Sequence, residues 1–171
     1  LCSSDLFKIE VLPLKNKLFR YARRILVGIE DTEDVIQEVF IKLWSKRDRL
    51  SEYRSIEAFA MVVTRNLCLD KIKARKLRMT TDSNNEMAID ETPYSKTELR
   101  DTIKSVQHYI DSLPEQQRSV IHLRDVEGME FEEIAEITGM NMNAIRVNLS
   151  RARKKVRDAL IKRQHYEYSE N

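Results

Sequence analysis

Between Arg146 and Arg163 the chain carries eight cations, Arg146, Arg151, Arg153, Lys154, Lys155, Arg157, Lys162 and Arg163, against Asp158 alone. Charge segregated in this way suits a polyanion, and nucleic acid is the polyanion a helical surface most often meets. Arg146, Asn148 and Arg151 cluster near the start of this stretch, and Arg and Asn have the paired donors and acceptors that read base edges in a major groove. A second cationic group, Arg65, Lys71, Lys73, Arg75, Lys76 and Arg78 against Asp70, closes a segment of the first half. Six cations exceed what matching a helix dipole requires.

The acidic run Glu30-Asp31-Thr32-Glu33-Asp34, with Glu38, admits three readings: a carboxylate metal site for hydrolysis, ordinary capping and solvation of a helix, or a docking stripe. The third is preferred, because Asp34, Gln37, Glu38 and Ile41 share one helical face opposite the apolar residues, leaving an Ile among polar neighbours. His108, His122 and His165 stand at no zinc-ligand spacing to each other or to Cys2 and Cys68, and no metal is expected. Each is read as a helix-surface or interface residue. Cys68 lies in an apolar-periodic segment and is read as a small buried thiol rather than half of a disulfide. No Gly-rich phosphate loop occurs, and no cofactor is expected.

These groups need helices to position them. The chain has only three Gly and three Pro in 171 residues, is 42% apolar and 34% charged, and spaces its apolar residues by threes and fours almost throughout. The fold is expected to be all-α. Phe7 to Leu26 forms a first amphipathic stretch, kinked or split at Pro13 and closed by Gly28. Asp31 caps a second helix whose core face is Val35, Ile36, Val39, Phe40, Leu43 and Trp44. Ser45 to Ser55 reads as an exposed loop. Ser55 caps a third helix with Phe59, Val62, Val63, Leu67, Leu69 and Ile72 on its apolar face. Residues 80–98 are acidic and rich in Ser, Thr and Asn, a mobile linker.

Periodicity resumes from Leu99 to Leu113, and Pro114 opens a further helix that ends at Gly128. Phe131 to Thr138, a turn containing Gly139, and a helix capped by Asn141 then match a helix-turn-helix, whose second helix is the recognition candidate. Two small helical domains, 1–79 and 99–171, thus flank the linker.

The 30 Lys+Arg and 28 Asp+Glu leave a formal charge of only +2, so any basic function rests on local segregation. Collagen-like and linker-like classes are excluded by composition, and no apolar run approaches the roughly 18 residues of a membrane span. The start, Leu1 to Asp5, has neither a basic cluster nor a long apolar stretch, so no signal peptide is expected and a cytoplasmic location follows.

Four segments in order carry a resemblance. They are Asp31 to Trp44, Phe59 through Arg65-Asn66 to Asp70, Leu113-Pro-Glu-Gln-Gln-Arg118, and Glu132 to Glu136 followed by Ala144 to Arg153. The chain resembles a bacterial extracytoplasmic-function (ECF) sigma factor in its minimal form, across Lys8 to Leu160 except the linker. That resemblance implies that Asp34, Gln37, Glu38 and Ile41 grip the β′ clamp helices of core RNA polymerase, with the β flap a further partner. It implies that the loop from Lys46 through Arg47, Asp48, Arg49 and Leu50 to Glu52 holds a flipped minus-ten base above Asn66, with Arg65, Lys71, Lys73 and Arg75 drawing phosphates. Leu50 stands where the family often has an aromatic. It further implies that Arg146, Val147, Asn148 and Arg151 read the minus-thirty-five element while Arg153 and Lys154 hold its backbone, and that an anti-sigma factor regulates the protein. Two other readings compete: a stand-alone helix-turn-helix regulator binding a palindrome, and a metal-dependent enzyme built on the Glu30 to Glu38 carboxylates.

Overall fold

The computed structural model describes residues 2–26, 28–81 and 98–169, and among these no strand occurs. The helices are α1 (Ser3–Leu6), α2 (Lys15–Ile25), α3 (Ile29–Ser45), α4 (Ile56–Thr81), α5 (Glu98–Asp111), α6 (Glu115–Ile121), α7 (Phe131–Thr138) and α8 (Met142–Ser169). The acidic segment expected to be a mobile linker falls largely at 82–97, outside the described residues.

Pro13 splits the first stretch as its missing N–H demands: a π-type turn (Phe7–Val11) and a 3-10 turn (Leu12–Leu14) separate α1 from α2. Two expectations are corrected at the next boundary. Gly28, in extended conformation, starts α3 rather than ending its predecessor, and Asp31 lies inside the first turn instead of capping it. Thr32 supplies the local tie, its Oγ1 donating 2.8 Å to the Gly28 carbonyl. Asp31 instead faces α4, 3.4 Å from Lys71 Nζ and 3.8 Å from Arg75.

Helices α2, α3 and α4 pack together around Leu18, Tyr21, Ala22, Val35, Val39, Leu43, Met61 and Cys68, all fully or almost fully buried. Burying each large side chain contributes roughly 1.5–3 kcal/mol, which fixes the bundle despite its dense charge. Trp44, expected in this core, is 43% exposed and meets the Phe7 ring edge-on at 5.0 Å. The stretch 45–55 is not a free loop either. Arg47–Glu52 forms a 3-10 turn that drives Leu50 wholly into the core. Ser55 does cap α4, accepting 3.0 Å from the Ala58 N–H.

The buried face of α4 is Ala60, Met61, Thr64, Leu67 and Cys68, whereas Phe59, Val62, Val63, Leu69 and Ile72 are only half-buried. Its apolar residues spread round the helix because α4 is central: α2 and α3 cover one side and α7, from the second half, covers another.

In the second half Pro114 precedes α6 rather than entering its first turn. A π-type turn (His122–Val126) follows, and Gly128 at φ +70° ends it. The helix-turn-helix forms as expected. Gly139 sits at φ +73°, a left-handed conformation that costs a side-chain-bearing residue about 1–2 kcal/mol, and Asn141 Oδ1 accepts 2.8 Å from the Ala144 N–H to start α8. Ile134, Ile137, Ile145 and Leu149 lock α7 to α8 from inside. The two halves also touch each other, α4 against α7 and α2 against α6.

Candidate nucleic-acid interface

Helix α8 presents Arg146, Val147 and Arg151 to solvent near its start, with Arg146 5.9 Å from the centre of the Phe131 ring. Asn148 is half-buried and its Nδ2 donates 2.9 Å to the Ala144 carbonyl, so its amide is oriented by its own helix. Lys154 is exposed. Arg153 forms a two-pronged pair with Asp125, at 2.8 and 2.6 Å, which ties α8 to the π-type turn.

In the first half Asp34, Gln37, Glu38 and Ile41 all face solvent along α3, and Ile41 is 68% exposed. Lys42 lies 3.7 Å from Glu38 on the same helix.

Asp48 and Arg49 are exposed on the 3-10 turn and Lys46 just before it, with Arg49 held 3.0 Å from Glu52. Arg47 is half-buried, lying 4.5 Å over the Trp44 ring and donating 3.0 Å to the Trp44 carbonyl. Leu50, expected in the base-capturing loop, has no exposed surface and packs into the core. Asn66 and Lys73 are exposed on α4. Arg65 is not open, because its side chain is 13% exposed and donates 2.8 Å to Glu115 and 3.3 Å to Ser119 of the second half. Burial would depress the pKa of Arg65, but Tyr21 and Glu115 more than offset that and raise it.

Sequence reasoning missed two features. Tyr53 and Phe59 stack at 3.8 Å, nearly parallel, with Lys46 5.7 Å from the Phe59 ring: an aromatic surface flanked by a cation, suited to an unstacked base. Tyr53 was hidden within a polar run. The second feature is a polar seam between the halves. Arg20 donates twice to Glu127, 2.9 Å each, and Arg24 donates to Asp111 at 2.5 Å and to His122 Nδ1 at 3.3 Å. Tyr21 stacks on the His122 ring, and its hydroxyl lies 3.3 Å from Ser119 Oγ. The available signal was that α2 holds Arg20, Arg23 and Arg24 with no acidic residue of its own.

Burial drives the pKa of His122 down, outweighing the pull of Glu127 3.3 Å away, and Arg24 and Arg20 push it lower still. A neutral ring agrees with Nδ1 accepting from Arg24. Burial would raise Glu127, but His122 and Arg20 overcome it and lower its carboxyl to about 2. Burial also pushes the Cys68 thiol up to about 12, and both Cys68 and Cys2 are free.

The family model described as Sigma-70 region 2 matches residues 11–78, and the one described as Sigma-70, region 4 matches residues 103–156. The chain belongs to the sigma-70 family. Among its relatives is the ECF RNA polymerase sigma factor SigE of Mycolicibacterium smegmatis, 30% identical over 156 residues, covering 86% of this chain and 58% of the relative. RNA polymerase sigma factor SigV of Bacillus subtilis is 29% identical over 151 residues, covering 86% and 87%. The chain spans 40% of a further relative, the probable sigma factor RfaY of Xanthomonas campestris. Among solved structures, the sigma factor RpoE of Bartonella quintana, crystallised with the anti-sigma factor NepR, aligns with TM-score 0.71 and 25% identity, over 90% of this chain and 96% of that one. Region 2 precedes region 4 along the chain, and the relatives it resembles include ECF sigma factors.

Proposed function

We propose that the chain confers promoter specificity on core RNA polymerase, acting in the cytoplasm and catalysing no reaction itself. The observation that carries this reading is the joint presence, in one chain, of a region 2 bundle and a region 4 helix-turn-helix with a cation-rich second helix. Asp34, Gln37, Glu38 and Ile41 dock on the polymerase clamp helices of β′, and region 4 rests on the β flap. Arg146, Val147, Asn148 and Arg151 read the minus-thirty-five element, while Arg153 and Lys154 hold its phosphates. Lys46, Arg47, Asp48, Arg49, Arg65, Asn66 and Lys73 engage the minus-ten strand. Leu50 supports them from the core. Melting needs no nucleotide hydrolysis: extruding a base costs a few kcal/mol, which stacking on Tyr53 or Phe59 and nearby cations offset. Because RpoE of Bartonella quintana was crystallised with an anti-sigma factor, a protein of that kind is the regulator we assign.

The test is transcription in vitro from a genomic fragment library, using core polymerase with and without this protein. Start sites sharing two upstream elements, seen only with the protein, are the expected result. An unchanged start-site profile refutes the proposal.

A further inference from the structure

The seam between the halves is asymmetric in charge. Arg20, Arg24 and Arg65 come from region 2, on α2 and α4, and their carboxylates, Glu127, Asp111 and Glu115, all come from region 4. Nothing in region 2 balances them in these pairs. The contact is built as well as charged. Glu127 has a side chain 1% exposed, Tyr21 and His122 are stacked and buried, and Ser55, the cap of α4, donates 2.8 Å to Glu133 of α7. Glu133 also accepts 3.0 Å from the Glu130 N–H, so one carboxylate joins the start of α7 to the start of α4.

Separation of the halves would leave three arginines on one face of region 2 and three carboxylates on region 4. The arginines would then demand an anion. Arg65 shares α4 with the exposed Lys73, about two turns further on, whereas Lys71 and Arg75 turn towards Asp31 of α3. A phosphodiester backbone is the anion that three vacated arginines fit: its charges are spaced, and arginine pairs phosphate and carboxylate with the same planar fork.

We propose that Arg20, Arg24 and Arg65 form a phosphate-binding face for promoter DNA, occupied within the chain by Glu127, Asp111 and Glu115 until DNA displaces them. Region 4 thereby acts as an internal anion that holds the free protein closed. This extends the initiation-factor reading and rests on it only for the identity of the nucleic acid. Opening trades three intramolecular pairs for contacts to phosphate, so closure and DNA binding compete for the same side chains. A competitor of this kind lowers apparent affinity by the fraction of molecules that are open.

Two measurements on the full chain test this. Interdomain distance is read by energy transfer between dyes on Cys2 and on a Lys155→Cys variant, Cys68 being buried and its thiol unreactive. Affinity for a short single-stranded oligonucleotide of mixed sequence is read by anisotropy. Glu115→Gln/Glu127→Gln should lower energy transfer and tighten oligonucleotide binding about tenfold. Asp111→Asn removes a carboxylate whose side chain is 55% exposed, leaves the core untouched, and should shift both readings the same way by less. The swap Arg20→Glu/Glu127→Arg should recover energy transfer while binding the oligonucleotide less tightly than wild type. Opening without any gain in affinity, or a swap that binds DNA as wild type does, overturns the phosphate assignment. Unchanged energy transfer in Asp111→Asn and in the double Gln variant overturns the internal competition. Polymerase enters neither measurement, so failure here leaves the initiation-factor reading intact, and failure of promoter-selective transcription leaves this result intact.

Discussion

Replacing Glu127 by Gln keeps its shape and removes its charge. In the wild type the carboxyl falls from its usual 4.5 to about 2 because Arg20 and His122 favour the ionised form beyond the opposing effect of burial. By linkage that drop corresponds to about 3 kcal/mol of stability. A depressed carboxyl pKa stabilises the native state above the unfolded value near 4.5, and the contribution fades as pH falls towards about 2. The loss in Glu127→Gln at neutral pH should be about 2–3 kcal/mol, below the full figure because the amide oxygen still accepts from Arg20. Arg20→Ala should cost about 2–3 kcal/mol as well: the arginine itself is 51% exposed, but its loss leaves the buried Glu127 carboxylate without its charged partner. Urea unfolding from pH 2 to 7 measures both. The difference between wild type and Glu127→Gln should be flat above pH 5 and shrink steadily below it. A difference that stays constant down to pH 2 would refute the idea that this carboxylate is held ionised by its partners.

Arg146→Ala should cost about 1–3 kcal/mol on a cognate promoter and relax preference at one upstream position, whereas Lys154→Ala should weaken binding to all sequences and flatten the salt slope. Competition binding at several salt concentrations separates them, and equal effects of both variants on every sequence contradict the assignment. Glu38→Lys should leave the helical circular dichroism unchanged and abolish capture of core polymerase; capture at wild-type strength contradicts the α3 docking stripe. Gly139→Ala should destabilise region 4 by about 1–2 kcal/mol through its left-handed backbone, since the added methyl would meet nothing within 4 Å. Thermal melting gives the answer.

The parts of this molecule legible in its sequence were those governed by local rules. Ser55 and Asn141 cap helices because short polar side chains reach the third N–H onward, and Gly139 marks the turn because few other residues take its φ. What escaped was decided at a distance. Gly28 rather than Asp31 starts α3, while Asp31 turns to Lys71 and Arg75, 40 and 44 positions further along. Leu50 sat in a polar run with no period, yet a 3-10 turn folds it beneath α4's neighbours. Arg65 read as an open cation because nothing near it in sequence announced Glu115. Polar seams of this kind leave no periodic trace: their partners are single residues on separate helices, and composition records only that cations and carboxylates are nearly equal.

That near-equality also limits what a count of cations can say about DNA binding. Arg153 belongs to the most basic stretch, yet its two bonds to Asp125 join parts of region 4 that separation of the halves would not disturb. Its charge is partly neutralised whether the protein is open or closed. Arg20, Arg24 and Arg65 are different, because their carboxylates lie across the seam and leave with region 4. The number of counterions released on binding, and with it the salt dependence, therefore depends on which pairs open rather than on how many basic residues face the groove. The same geometry makes closure self-limiting. Asp111, with its side chain 55% exposed, is reached by salt more readily than Glu127 at 1%, so the Arg24 pair is the more screened of the two. The seam should consequently loosen from its edge inward, with Glu127 the last carboxylate to yield its arginine.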